Sequence, residues 1–336
     1  MREENVPFST LTTFKTGGPA RFLFLVSNEA ELKEAVLFAK EQSLPAIPIG
    51  AGSNILASDS GVTAVCIKNI SARTEIEVQD NSVRLTVDAG RDWDSLVQET
   101  VESGWWGFEN LSHIPGTVGA SVVQNIGAYG AAISTTVIQV RAFDTITGTS
   151  RIFSNAECLF GYRSSIFKKE VDRYIVLSAT FSLSLAPKPI LSYTDLEKRF
   201  SGAHAPELRD IRHAIIAIRK EKFPPLDVFG TAGSFFLNPI VYTEDEKKNI
   251  SIQFPDMPLF LLPEGGVKIP LAWLFDHALS LKGTRVGGAF VWDKQPLVIA
   301  TEKGATTTDI RNLAESIQAK TKEILGIKIF PEVRAL

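Results

Sequence analysis

The sequence predicts a mixed fold of helices and strands spread over two or three domains. Three observations carry this reading. Apolar residues recur at helical spacing over 28–39, 93–101 and 309–325 and alternate over 76–87 and 175–183, without the steady strand–helix alternation of a Rossmann or barrel fold. The 336 residues exceed what one ordinary core holds. A composition of 44% hydrophobic and 22% charged residues fits a soluble globular protein, neither disordered nor fibrous.

Taken in order, Asn28 with Glu31 reads as an N-cap and its capping-box partner, opening a helix whose inner face is Leu32, Ala35, Val36 and Ala39. Ala46 to Ile49 is a strand that runs into the loop GAGSN at 50–54. Ile76 and Val78, then Val83, Leu85 and Val87, alternate on either side of Asp80-Asn81 and predict a hairpin. A helix from Trp93 to Val101, with Leu96 and Val97 on one face, should stop at Gly104. Ile175, Leu177, Ala179, Phe181 and Leu183 predict a half-buried strand. After Pro187 and Pro189 the composition shifts, 202–206 reads as a connection, and a boundary is placed near residue 200. A long helix from Asp309 to Leu325 ends at Gly326, leaving IKIFPEVRAL as a terminal strand and tail.

A formal charge of −3 with scattered Lys and Arg argues against a polyanionic partner such as nucleic acid. MREENVPFST lacks the order of a signal peptide, and runs such as RFLFLV are too short to span a bilayer, so a cytoplasmic protein without membrane insertion is expected. Cys66 and Cys158 make no C-x-x-C, and His113, His204, His213 and His277 have no ligand spacing, so no metal is expected.

Several stretches carry chemistry. The amides of GAGSN suit phosphate oxygens, yet taken alone it reads sooner as a plain turn, being neither G-x-G-x-x-G nor a Walker loop. IPGTVGASVVQNIGAYG at 114–130 has four glycines and almost no charge, which lets backbone approach a flat group while Gln124 and Asn125 offer amides. In GYRSSIFK, Arg163 suits a carboxylate or a developing oxyanion, although an isolated arginine is in most cases a surface ion pair. Tyr193 and Lys222 are as ambiguous singly. Ser234 in GTAGSFFLNP lacks a G-x-S-x-G context and a nearby base, which disfavours a hydrolase.

LTTFKTGGPARFL, GAGSN, WGFENLSHIPGTVGASVVQNIGAYG, ECLFGYRSSIFK, GTAGSFFLNP and PEVR follow one another as in UDP-N-acetylenolpyruvoylglucosamine reductases, and the chain resembles that family nearly end to end. The resemblance implies an α+β, FAD-binding fold of the vanillyl-alcohol-oxidase (PCMH) type. Its FAD-binding subdomains would be 1–70 and 71–200, with an α+β substrate-binding domain at 201–336 whose terminal segment brings Glu332 to the active site. It implies FAD and NADPH as cofactors and reduction of UDP-N-acetylglucosamine enolpyruvate to UDP-N-acetylmuramate by a cytoplasmic monomer of peptidoglycan synthesis.

The resemblance also assigns residues. Reduced FAD passes hydride to the enolpyruvyl group, Ser234 gives the proton, and Arg163 and Glu332 stabilise the intervening anion. Around the cofactor it implies Gly50, Ala51, Gly52, Ser53 and Asn54, then Pro115, Gly116, Val118 and Gly119, then Gln124, Asn125, Gly127, Ala128 and Tyr129, with Arg219. Around the UDP-sugar it implies Tyr193, Lys222, Asn238, Lys282 and Gln295, the lysines facing the diphosphate. Val122 stands where the family commonly has proline, and the stretches 262–283 and 290–298 depart from its pattern.

Overall fold

The computed structural model describes residues 1–202, 206–262 and 265–336. His204 and most of the connection expected at 202–206 lie outside the described residues, as do Pro263 and Glu264. The chain divides into two compact units: Met1–Val6, Ala20–Gly52 and Thr63–Lys220 form the first, and Pro7–Pro19, Ser53–Val62 and Glu221–Leu336 the second.

In the first unit a four-stranded sheet runs in the order Arg2–Pro7, Pro19–Val26, Val62–Asn69, Ala46–Ile49. Helix α1 (Glu29–Glu41) buries Leu32, Ala35, Val36 and Ala39 beside Phe22, Val65 and Ile67 of that sheet. Its cap differs slightly from expectation. Asn28 Oδ1 accepts Glu31 N–H at 3.0 Å as predicted, but the Glu31 carboxylate accepts from the Ser27 N–H at 2.7 Å, one residue further out than a capping box requires.

The second sheet has five antiparallel strands, in the order Thr149–Ser154, Val137–Asp144, Tyr174–Ser184, Ser82–Asp88, Thr74–Val78. The hairpin expected around Asp80-Asn81 is there, with Val78 opposite Val83. Helix α2 (Trp93–Glu102) is capped by Asp92 and runs out at Gly104, whose φ of +79° is open to glycine at little cost. Trp93 packs on Phe108 at a tilt, ring centres 4.8 Å apart, and Phe108 meets Phe181 edge-on at 5.1 Å, which joins α2 to the centre of the sheet.

Strand Tyr174–Ser184 is more deeply buried than the half-buried strand the alternation predicts. It is central, and it serves two cores. Ile175 and Leu177 pack with α1, whereas Tyr174, Val176, Ala179, Phe181 and Leu183 pack with α2. Even numbers change to odd on one face because the pairing slips between Arg141 opposite Ser178 and Ala142 opposite Val176, a bulge that inserts Leu177.

In the second unit a four-stranded sheet, Gly230–Ser234, Val298–Thr301, Ala289–Val291, Arg285–Val286, packs with helix Thr307–Leu325 through Ile310, Leu313, Ala314 and Ile317. That helix starts two residues earlier than expected. Thr306 is the cap and Asp309 its reciprocal partner, so Asp309 lies inside the first turn. Gly326 ends the helix with φ +70°. The expected terminal strand shrinks to Arg334–Ala335, parallel to Ile55–Leu56. Pro331 has no N–H for a ladder, and the chain instead makes a single bridge there: Leu237 N–H donates to Phe330 O at 3.0 Å and Glu332 N–H to Phe235 O at 2.8 Å. Among the described residues no helix is long and apolar enough to cross a membrane.

Candidate active site

The two glycine-rich segments meet at Gly50, against the side chains of Thr117 and Ala120. A Cβ on Gly50 would lie 3.0 Å from both Thr117 Oγ1 and Ala120 Cβ, so GAGSN starts directly against the first turn of helix α3 (Val118–Gln124). Gly52 turns the chain with φ +69°. Within α3 not every amide is available to a ligand: Val118 N–H donates to Arg91 O and Gly119 N–H to Ala89 O, both at 2.9 Å. Gly116 O accepts the Trp93 N–H at 3.1 Å. Gly119 is a packing residue, since a Cβ there would come 2.8 Å from Ala89 Cβ.

Arg163 is stapled to the second glycine-rich segment. Its guanidinium donates to Gly127 O at 2.7 Å, and Asn125 Nδ2 donates to Gly161 O at 2.8 Å while Asn125 Oδ1 accepts the Ser134 N–H. Ser165 Oγ, the cap of the short helix α4 (Ile166–Lys169), donates to Val123 O at 2.7 Å. Asn125, Tyr129 and Arg163 all hold φ between +45° and +50°, a left-handed conformation uncommon outside glycine. Lys168, which the sequence reading did not single out, donates to Gln124 Oε1 at 2.7 Å and to Arg163 O at 3.0 Å.

Tyr129 anchors a second cluster in the same unit. Its ring meets Tyr193 edge-on at 5.2 Å, its carbonyl accepts from Asn110 Nδ2 at 2.7 Å, and its hydroxyl shares a hydrogen bond with Arg219. Burial pushes the phenol up to about 12, outweighing the Arg219 charge that favours the phenolate. Arg219 Nε donates to His113 O at 2.9 Å, and burial moves the guanidinium below its ordinary value. The His113 N–H in turn donates to Asp94, which receives two bonds from Arg212, at 2.7 and 3.1 Å. Burial would raise the Asp94 carboxyl, but the bonds from His113 and Arg212 hold it well below the usual range. Asn110 Nδ2 also donates to Ile190 O at 2.9 Å, tying down the segment that leads to Tyr193, and Asn110 Oδ1 is buried without a partner. Sequence spacing gave no signal for Asn110, because its partners lie 19 and 80 residues away.

In the second unit Ser234 ends strand Gly230–Ser234, beyond a break in register after Thr231 where Gly233 has φ +76°. It is half-buried, and Phe235 and Phe236 behind it are each 2% exposed. The Glu332–Phe235 backbone bond brings Glu332 next to Ser234 in the fold, and Asn54 binds the same segment, its Nδ2 donating to Glu332 O at 3.2 Å and its carbonyl accepting Arg334 N–H at 3.0 Å. Ser53 precedes it in the same turn. Asn238 Oδ1 accepts the Leu271 N–H, Lys282 pairs with Asp276 at 2.6 Å, and Gln295 Oε1 is buried without a partner. Lys222 is half-buried at the end of helix Leu208–Lys222. Arg163 belongs to the first unit, Ser234 and Glu332 to the second.

The first unit fits a flavin. Its glycines are closely packed, the polar groups nearby are amides with Arg163, Lys168 and Arg219, and a buried amide oxygen, Asn110 Oδ1, awaits a donor. An FAD-binding-domain family model matches residues 20–154, and the model of the UDP-N-acetylenolpyruvoylglucosamine reductase C-terminal domain matches residues 224–336. The α+β fold with an FAD-binding domain defines a flavin-dependent oxidoreductase. The reductase of Pseudomonas aeruginosa is 37% identical over 332 residues, 98% of this chain and 97% of that one. The Neisseria meningitidis serogroup B reductase is 38% identical, covering 94% and 91%. The crystal structure of the Thermus caldophilus reductase superposes with a TM-score of 0.72 at 23% identity, over 100% of this chain and 99% of that one, and so shares the fold. This chain belongs to the UDP-N-acetylenolpyruvoylglucosamine reductase family.

Proposed function

We infer that the protein reduces the enolpyruvyl ether of UDP-N-acetylglucosamine enolpyruvate to UDP-N-acetylmuramate with NADPH, as a cytoplasmic monomer serving peptidoglycan synthesis. In this reading residues 1–70 and 71–200 hold the flavin and 201–336 the UDP-sugar. Bound FAD supplies the hydride. Ser234 Oγ then holds the one proton the reduced enolpyruvyl carbon requires, with Phe235 and Phe236 excluding the water that would otherwise compete. The observation that carries the reading is the bond from Glu332 N–H to Phe235 O, which fastens the Glu332 backbone beside the residue that follows the proton donor.

Arg163 offers a fixed cation to the substrate carboxylate while charge accumulates there. Tyr193, Lys222, Asn238, Lys282 and Gln295 bind the UDP-sugar, and the buried, unpartnered Gln295 Oε1 suits a ligand donor. The Lys282 ammonium is held by Asp276 until a diphosphate competes for it.

The test is direct. The purified protein should be yellow, NADPH should bleach it anaerobically, and the enolpyruvyl UDP-sugar should restore the colour. A colourless protein that takes up no FAD, or a bleached one the sugar leaves unchanged, would overturn the assignment.

A further inference from the structure

Arg163 sits in a backbone conformation that arginine does not favour, at φ +50°, in a turn closed by paired Gly161 and Ser164 backbone bonds of 3.0 and 3.1 Å. A strained residue persists only where its surroundings fix it. Its guanidinium is fixed by Gly127 O, and its carbonyl by the Lys168 ammonium. The same ammonium reaches Gln124 Oε1 at 2.7 Å, the shorter of its two bonds.

We propose that Lys168 is a positioning residue for the reaction: one half-buried ammonium clamps the Arg163 backbone and sets which end of the Gln124 amide faces the ligand. A lysine ammonium has three donors and no acceptor, so the Gln124 oxygen must face it and the amide NH2 is turned the other way as a donor. Helix α4 supports the reach: its cap Ser165 is bonded to Val123 O at 2.7 Å, one residue before Gln124, so the lysine stem starts from an element already fastened to α3. Lys168 thus acts on the substrate through Arg163, with the Gln124 oxygen as the second anchor of its ammonium, and touches no reacting atom.

The inference rests on Arg163 facing the substrate carboxylate, and a double-mutant cycle separates the two claims. With Arg163→Ala, Lys168→Met and both changes, kcat, KM for the enolpyruvyl UDP-sugar and the separate NADPH half-reaction are measured. Lys168→Met should lower kcat roughly tenfold to a hundredfold, as misplacement of a charge-stabilising group does, with KM changed little and flavin reduction by NADPH unaffected. In the double variant the loss should match that of Arg163→Ala alone. Lys168→Arg should recover part of the loss. Independently of activity, amide exchange at residues 161–164 of the apo-protein should quicken in Lys168→Met. Fully additive losses, or unchanged kcat and exchange in Lys168→Met, would overturn the role of Lys168. An Arg163→Ala variant with normal kcat would instead overturn the assignment of Arg163 on which it depends. A Lys168→Met protein that fails to fold leaves Lys168→Gln, expected to show the same kcat-selective loss; a fall confined to thermal stability and flavin content would overturn the proposal.

Discussion

A methyl group on Gly230 would lie 2.1 Å from Phe14 O and 2.2 Å from Thr301 Oγ1, atoms already joined by a 2.9 Å hydrogen bond. Neither neighbour is a flexible side-chain end, so Gly230→Ala should cost about 3 kcal/mol or more, seen as a lower denaturant midpoint. Four residues on, Ser234→Ala should leave the fold and sugar binding intact and lower kcat by about 10²- to 10⁴-fold, the range for a lost proton donor. Glu332→Gln should retain turnover better than Glu332→Ala, because the amide keeps a hydrogen-bond donor, and steady-state kinetics of the pair would check it. At this scale the sequence, through long motifs, singled out Ser234, Arg163 and Glu332 as candidates, whose roles the variants test. It did not reveal the left-handed backbone of Arg163, since φ at a non-glycine position is set by bonds to Lys168 and Gly127, not by local composition.

Among the elements, the ion pair between Asp94 of α2 and Arg212 joins α2 to helix Leu208–Lys222. Arg212 is 8% exposed, and Asp94→Ala would leave it buried without that partner, a loss of about 3 kcal/mol readable by urea titration. Because the folded Asp94 carboxyl titrates below its unfolded value, its contribution is complete above the ordinary aspartate pKa of about 4 and is lost as pH falls below it. Acid unfolding should therefore move to higher pH in Asp94→Ala, and circular dichroism from pH 6 downward would show it. The cap at Asn28 was readable because it acts within four residues of itself, whereas Thr306 went unread because Asp309, its partner in the first turn, reads as the start of the helix. The pair with Arg212 was not, spanning 118 residues, and neither was the bulge at Leu177, which depends on the neighbouring strand's register.

For the molecule as a whole, the order of motifs along the chain made the flavin fold and the family legible, while the interleaving of the two units was not. Residues 7–19 and 53–62 read as parts of whatever precedes and follows them, yet they pack with 221–336, through pairs such as Phe14 with Phe235 at 6.2 Å and Asp59 with the Thr307 N–H at 2.7 Å. FAD bound by the folded chain alone should stabilise it by about 2.7 kcal/mol at a hundredfold excess over its dissociation constant, and a rise in melting temperature with added FAD would verify this.

The parallel pairing of Arg334–Ala335 with Ile55–Leu56 has a consequence for biosynthesis. Translation at roughly 5–20 residues per second leaves Ile55 waiting on the order of tens of seconds for a mate that the ribosome has yet to make. A nascent chain stalled before residue 334 should therefore expose Ile55–Leu56 to proteases or chaperones, and emergence of residues 334–335 from the ribosome is what closes that gap.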